Sequence, residues 1–270
     1  MSPASARRAP GLLLLATIAL LAACKTPTPP VPRPDLDAGA LIAGLEAAAG
    51  ARNGLRARAR LAIDAPDLRV SRPQRIAAVR PGTLRVEILG LFRQVAAVLV
   101  VRDGVYQLWE SGSPEIQQGP VTPNLLWRIA RVALAPEEAV DLLLGTPRPA
   151  PGLAVGAARW WKSRFDVERV DAEGALFERA SFDAEGRLRG FERFGATGEL
   201  VWSATFDEHR PLMGGDGAMQ SFAHSVKLRF PAEGAEVDVE FDDVQLDPEL
   251  APSLFELAPA SRRRAGAAAR

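Results

Sequence analysis

From Leu55 onward the sequence keeps returning to one pattern: a short run of alternating apolar and polar residues, closed by a turn that carries a glycine. An alternation of period two puts every second side chain on one face of a strand, so each such run is a strand with one face to bury. Leu55, Ala57, Ala59, Leu61 and Ile63 alternate with Arg56, Arg58, Arg60 and Asp64, and the arginine row reads as a solvated face in preference to a binding patch. Further strands are expected over residues 75–79, 84–88, 95–101, 105–109, 161–170, 175–182, 188–194, 200–206, 225–230 and 236–242. The breaks read Pro81-Gly82, Asp103-Gly104, Glu173-Gly174, Glu185-Gly186, Thr197-Gly198 and Glu233-Gly234, which are turn dipeptides. Spacing of roughly ten residues between such breaks predicts a meandering antiparallel sheet. The run over 95–101 is apolar on both faces, so both of its sides require cover.

Three segments switch to helical spacing. Leu36, Leu41, Ile42, Leu45 and Ala48 form a stripe within residues 35–51, with Asp35 or Asp37 as the cap and Gly39 and Gly44 weakening it. Residues 124–134 carry Leu125, Leu126, Ile129, Val132 and Ala133 behind Asn124 as cap. A third helix starts at Pro136, has Glu137 and Glu138 in its first turn, and ends at Gly145. Residues 146–156 read as linker and residues 211–217, PLMGGDG, as a loop that lacks the spacing of a phosphate cradle. About eleven strands with one leading helix and two inserted after the fifth strand make a mainly β chain. A sheet of that size curls, and its hollow side must be filled or covered; three amphipathic helices suffice to plug one open barrel.

The amino terminus carries a different signal. Arg7 and Arg8 precede an apolar run over residues 11–23, 13 residues that are too few for a span, which needs roughly 20. A short charged start, a short apolar run and small residues before a break describe a secretory signal. The break, Leu21-Ala22-Ala23-Cys24, looks like a lipobox and contains the chain's single cysteine. Cleavage before Cys24 would free its thiol for a diacylglycerol. No other segment has the length of a membrane helix, so the mature chain is expected to be anchored to a membrane and not to span it. Lys25, where aspartate tends to retain similar lipoproteins on the inner membrane, favours the outer membrane. Residues 26–34, TPTPPVPRP, favour an extended tether. The expected plan is a leader over 1–23, lipidated cysteine and tether over 24–35, a β domain over 36–259 and a frayed Ala/Arg-rich tail over 260–270.

Composition removes several function classes. Hydrophobic residues make up 47% of the 270 and charged residues 24%, which fits a globular domain with a core. Without Arg7 and Arg8 the mature part has 31 basic and 33 acidic residues, a net of −2, so no basic excess recommends nucleic acid as a partner. The motifs G-x-S-x-G, H-E-x-x-H and C-x-x-C do not occur. His209 and His224 read as surface or strand-end residues. Asp242 and Asp243 sit on consecutive strand positions, a poor geometry for shared acid–base work or a metal. One indole of Trp160-Trp161 is expected in the core. No constellation that a reaction or a metal would require is found, which weighs against an enzyme.

Taken together, a lipobox, a leading helix, an antiparallel sheet and a two-helix insertion resemble the LolA/LolB superfamily of bacterial lipoprotein carriers and receptors. Leu84-Arg-Val-Glu-Ile-Leu-Gly-Leu-Phe92 looks like the strand and apolar loop that in LolB reads roughly R-L-x-S-P-L-G. Leu142-Leu-Leu-Gly-Thr-Pro147 is similar to the W-x-x-G-x-P end of its inserted helix, without the tryptophan. Gly198-Glu-Leu-Val-Trp-Ser-Ala-Thr-Phe206 resembles the G-x-x-W-x-V-x-Y strand, and Asp247-Pro-Glu-Leu-Ala-Pro-Ser-Leu-Phe255 the closing segment of LolA. The resemblance covers residues 36–259 and implies an unclosed β-barrel with a helical lid and an apolar cavity for acyl chains. It further implies a periplasm-facing lipoprotein on the outer membrane that receives other lipoproteins from a LolA-like carrier and inserts them, with no enzyme activity and no cofactor; a monomer is expected. The alternative is a structural or assembly lipoprotein of the envelope that keeps the fold without lipid transfer. Expected cavity residues are Leu84, Val86, Ile88, Val98, Val100, Leu108, Trp127, Ile129, Leu142 and Leu143, each of which plain core packing would also explain. Leu91 and Phe92 lie in a loop, where residues are usually polar; in LolB the matching loop exposes a leucine that acts on the membrane, and the same is expected of Leu91 or Phe92.

Overall fold

The computed structural model describes residues 33–257. The leader over 1–23, Cys24, the proline-rich segment through residue 32 and the 260–270 tail lie outside the described residues. Contacts separate the chain after Pro34. The unit that begins at Asp35 holds every element below and the buried residues that form the core, so it carries what it needs to fold without the residues before it.

Helix α1 (Ala38–Ala51) starts where Asp37 accepts the Ala40 N–H at 2.6 Å, the capping role its sequence position predicts. It buries Ile42, Leu45 and Ala49. Strands β1 (Gly54–Ala65), β2 (Leu68–Val79), β3 (Thr83–Leu89), β4 (Val95–Arg102), β5 (Val105–Glu110) and β6 (Ile116–Pro120) follow. Helices α2 (Leu125–Ala130) and α3 (Pro136–Leu143) interrupt the β pattern. Strands β7 (Ala154–Trp161), β8 (Arg164–Val170), β9 (Leu176–Phe182), β10 (Leu188–Phe194), β11 (Leu200–Met213), β12 (Met219–Phe230) and β13 (Ala235–Leu246) complete one antiparallel sheet. A short 3-10 turn, Pro252–Phe255, comes last.

The sheet is a meander folded back on itself. Its order is β6-β5-β4-β3-β2-β1-β13-β12-β11-β10-β9-β8-β7, so every pair is sequential except β1 with β13. The first and last strands meet in the middle, and the edges are β6 and β7. The barrel is left unclosed between those two strands, and α2 and α3 fall between them in the chain. Among the described residues there are thirteen strands where the alternation predicts about eleven, and the helix pair follows the sixth strand, not the fifth. The two additional strands are the edges. β6 reads IQQGP and β7 reads AVGAARWW, largely exposed; an edge strand that covers little needs no apolar alternation, and proline and glycine are tolerated there.

Other departures have equally local causes. β2 begins at Leu68, ahead of the expected 75, with Pro73 inside it. β3 pairs with β2 only from Gln74 on, so at Pro73 the strand has one neighbour and loses little to the missing donor. The 211–217 segment is strand as far as Met213. α2 stops at Ala130 because Arg131 turns left-handed, φ 56°. Asn124 precedes α2 without capping it, since its side chain instead takes the Thr122 hydroxyl at 2.8 Å. α3 keeps its predicted ends: Glu138 reaches back to the Ala135 N–H at 3.1 Å, and Gly145 takes φ 68°. Asp242 and Asp243 are both exposed, not alternating, because the β1–β13 register shifts opposite Arg58/Ala59. His224 is a buried residue, edge-on to Phe222 at 5.5 Å, while His209 is half-buried against Arg189. Burial and the Arg189 charge hold the His209 imidazole below its ordinary value.

Candidate functional site

The inner face of the sheet carries the main core, and part of that core is hollow. An apolar space of about 300 Å³ lies between strands β1–β5, β12, β13 and the two inserted helices. Leu61 and Ile63 of β1, Leu84, Val86 and Ile88 of β3, Ala97 and Leu99 of β4, Leu108 of β5, Val226 and Leu228 of β12, and Val237 and Val239 of β13 form its wall. β2 gives Leu68, Val70, Arg72, Gln74 and Ile76. The roof is Leu126, Ile129 and Ala130 of α2, Val132 and Leu134 between the helices, and Ala139, Leu142 and Leu143 of α3. Only Arg72 and Gln74 are polar, and no aromatic ring lines the space. Its size sits at the lower end of ligand pockets.

Seven of the ten expected cavity residues, Leu84, Val86, Ile88, Leu108, Ile129, Leu142 and Leu143, line this space. Val98 and Val100 do not. The register pairs Leu84 with Val101 and Val86 with Leu99, which puts Val98 and Val100 on the outer face. There they are buried with Ala77, Phe255 and Leu257. This is the cover that the doubly apolar 95–101 run requires. The closing segment supplies it, held by Arg85 donating to the Leu254 carbonyl and by the Leu257 N–H donating to Gln107, both at 2.9 Å. Trp127 packs against the main core without lining the hollow, and it stacks under the Arg131 guanidinium at 5.5 Å. The contribution of β2 was not legible, because Pro73 and three arginines obscure its alternation.

The roof is fastened at both ends, in different ways. On α3, Asp141 binds Arg80 of the β2–β3 turn, and both side chains are almost wholly buried. Arg80 also donates to the Arg52 carbonyl at 2.9 Å and to the Thr146 carbonyl at 2.7 Å, and Arg52 donates to the Leu144 carbonyl at 2.7 Å. Burial lowers both guanidiniums to about 10, so both stay charged at neutral pH. At the α2 end, Arg131 makes a bidentate pair with Asp67 of the β1–β2 turn, 2.6 to 3.0 Å, in the open. That hydrogen bond holds the Asp67 carboxyl below the usual range. Arg72 is exposed and also part of the lining, so the hollow reaches solvent at this same end.

The antiparallel order also brings the β3–β4 loop to this end. Leu91 is 85% and Phe92 90% exposed. Their exposure is built in. The Gly90 N–H donates to the Gln94 carbonyl at 2.8 Å, the Arg93 N–H to the Gly90 carbonyl at 3.0 Å, and the Phe92 N–H to Gln94 Oε1 at 2.9 Å. A side chain at Gly90 would meet Gln94 at 2.5 Å, so glycine is required for that fastening. The loop thus satisfies itself and needs no apolar anchor in the core. Among the described residues no group of three His, Cys, Asp or Glu is arranged to hold a metal, and no helix is long and apolar enough to cross a membrane.

An unclosed antiparallel half-barrel, roofed by two short helices over an apolar hollow, is the class of protein these observations define. Its fold is similar to that of a solved LolA superfamily protein and of two other solved structures. A LolA superfamily protein from Nitrosomonas europaea matches with a TM-score of 0.53 over 83% of this chain and 99% of that one, at 10% identity. A protein domain from Vibrio parahaemolyticus, described as outer membrane lipoprotein-sorting, matches with a TM-score of 0.55 over 82% and 97%, at 12% identity. A DUF1329 family protein from Desulfovibrio piger matches with a TM-score of 0.54 over 81% and 95%, also at 12% identity. No family sequence model matches the chain, and no curated protein matches it by sequence.

Proposed function

We propose that this chain is a cell-envelope lipoprotein, lipidated at Cys24, that holds the acyl chains of other lipoproteins in its hollow. In this reading it receives them from a LolA-like carrier and inserts them at the periplasmic face of the outer membrane. The observation that carries the reading is the hollow itself: a wall of aliphatic side chains around a space of about 300 Å³, roofed by two short helices. Burial of an alkyl chain is worth about 0.8 kcal/mol per CH₂, so a chain of about 16 carbons gains roughly 10 kcal/mol even when incompletely covered. A carrier must also release its load, and an aliphatic wall without polar anchors along most of its length favours that. The fold and the lipoprotein-sorting description of the Vibrio domain support the same class. Leu91 and Phe92, presented at the open end, would be the pair that touches the bilayer during transfer. Residues 35–270, purified without detergent and analysed by mass spectrometry, are expected to carry co-purifying acyl lipid. An empty hollow that also takes up no added fatty acid would leave the envelope-structural alternative.

A further inference from the structure

Gln74 is out of place. It lies on the inner face of β2, level with Ile88 of β3 and Ala59 of β1, and it is 5% exposed. It lines the hollow among aliphatic side chains. Its carboxamide oxygen accepts no hydrogen bond. Buried polar atoms are nearly always partnered, and an amide in a hydrocarbon wall weakens the fold unless something meets it. The second polar residue of the lining stands beside it. Arg72 is two positions along the same strand and so on the same face, about 6.8 Å nearer the open end. It is exposed, makes no ion pair among the described residues, and donates only to the Ser71 carbonyl at 3.2 Å. The lining therefore has one polar stripe, a cation at the mouth and an unmet acceptor one pleat deeper, with hydrocarbon beyond.

We infer that the hollow selects acyl amphiphiles carrying an N–H or O–H donor within the first few atoms of the chain, and that Gln74 is the residue that reads it. This rests on the acyl-binding reading above and adds the class of chain. The head of such a molecule sits at Arg72 and its donor meets Gln74 Oε1. An amide-linked chain has that donor, and so does a β-hydroxyacyl chain; a plain ester has none. The unmet oxygen then costs the empty protein and is satisfied on loading, so the discrimination comes from the protein's own buried group.

Three uncharged ligands of equal chain length isolate the effect: methyl palmitate, N-methylpalmitamide and methyl β-hydroxypalmitate. Each displaces a fluorescent fatty-acid analogue from residues 35–270. At least one donor-bearing ligand is expected to bind about tenfold more tightly than the ester, and which of the two does so identifies the source of the donor. Gln74→Leu is expected to level the three affinities while its melting temperature stays equal or rises. Gln74→Met serves the same purpose if the leucine variant does not fold. Equal affinities in the unmodified protein, or a preference that survives Gln74→Leu, overturn the inference and leave the acyl-binding reading standing. Failure of all three ligands to displace the analogue, with the analogue itself unbound, overturns both.

Discussion

Across β8–β12 the inner face of the sheet is aromatic: Phe165, Phe182, Phe191, Trp202, Phe206, Phe222 and Phe230 are all buried there. Phe191 stacks on Trp202 with centroids 5.9 Å apart, and Phe222 meets Phe241 of β13 edge-on at 5.3 Å. Across β1–β5 the same face is mainly aliphatic, the exceptions including Tyr106, Arg72 and Gln74, and the 300 Å³ hollow lies over it. Strand follows hydrogen-bonded strand from one region to the other. The difference is side-chain size and shape. Rings that bury about 150 Å² or more each close the interior of one half, whereas Val, Leu, Ile and Ala at equivalent inner positions leave space between them. One half of the sheet is thus built as a core and, on the proposed function, the other as a container.

This contrast is broken most strongly in the filled half. Phe191→Ala is expected to cost about 4 kcal/mol, read from urea unfolding, because the stacked ring has no space to collapse into. Val86→Ala, beside a void that already exists, should cost under about 1.5 kcal/mol. Equal costs would mean that the two halves are packed alike. The buried latch of the roof comes next. Asp141→Ala leaves Arg80 with an unpaired, desolvated charge and is expected to cost about 3 kcal/mol in the same assay, with the roof end at α3 losing amide protection first.

Filling the container sharpens the contrast from the other side. Ile88→Phe puts a ring where the wall has none. Stability should change by no more than about 1 kcal/mol, while uptake of a fluorescent fatty acid falls sharply. If uptake is unaffected, acyl chains do not occupy this space. The open latch predicts a smaller effect still. Asp67→Asn weakens an exposed pair, so the melting temperature should hold while fatty-acid exchange, followed by stopped-flow fluorescence, becomes faster.

The sequence announces the strands of the container better than their faces. In β1 the alternation Leu55, Ala57, Ala59 against Arg56, Arg58, Arg60 fixes which side is inner, and the register agrees. In β4 the residues 95–101 are apolar at every position, so nothing in the chain itself tells Val98 from Leu99. Only pairing to β3 and the arrival of Phe255 on the outer face do so. A shift of one residue exchanges the two faces, and that is how Val98 and Val100 come to be expected in a hollow they back onto. The polar stripe was hidden for the opposite reason. Gln74 and Arg72 fall outside the strand expected over 75–79, and only the long pairing of β2 with β1 turns them inward. The caps of α1 and α3 were legible because they rest on contacts three residues apart.

The exposed pair at the open end gives the smallest stability effect and the cleanest separation of surface from core. Leu91 and Phe92 touch almost nothing, and the hydrogen bonds of their loop come from Gly90, Arg93 and Gln94. Leu91→Glu with Phe92→Glu should therefore leave the melting temperature within the range of ordinary surface substitutions, about 0.5 kcal/mol either way. Two large apolar side chains exposed in a loop that satisfies itself add little to folding, and under the proposed function they are what touches the bilayer. In a vesicle-binding assay the double variant should lose most of its association with bilayers, and lipoproteins should accumulate upstream in cells that carry it. A loss of stability comparable to that of Phe191→Ala would instead make the pair part of a core, and the open end would no longer differ in kind from the rest of the rim.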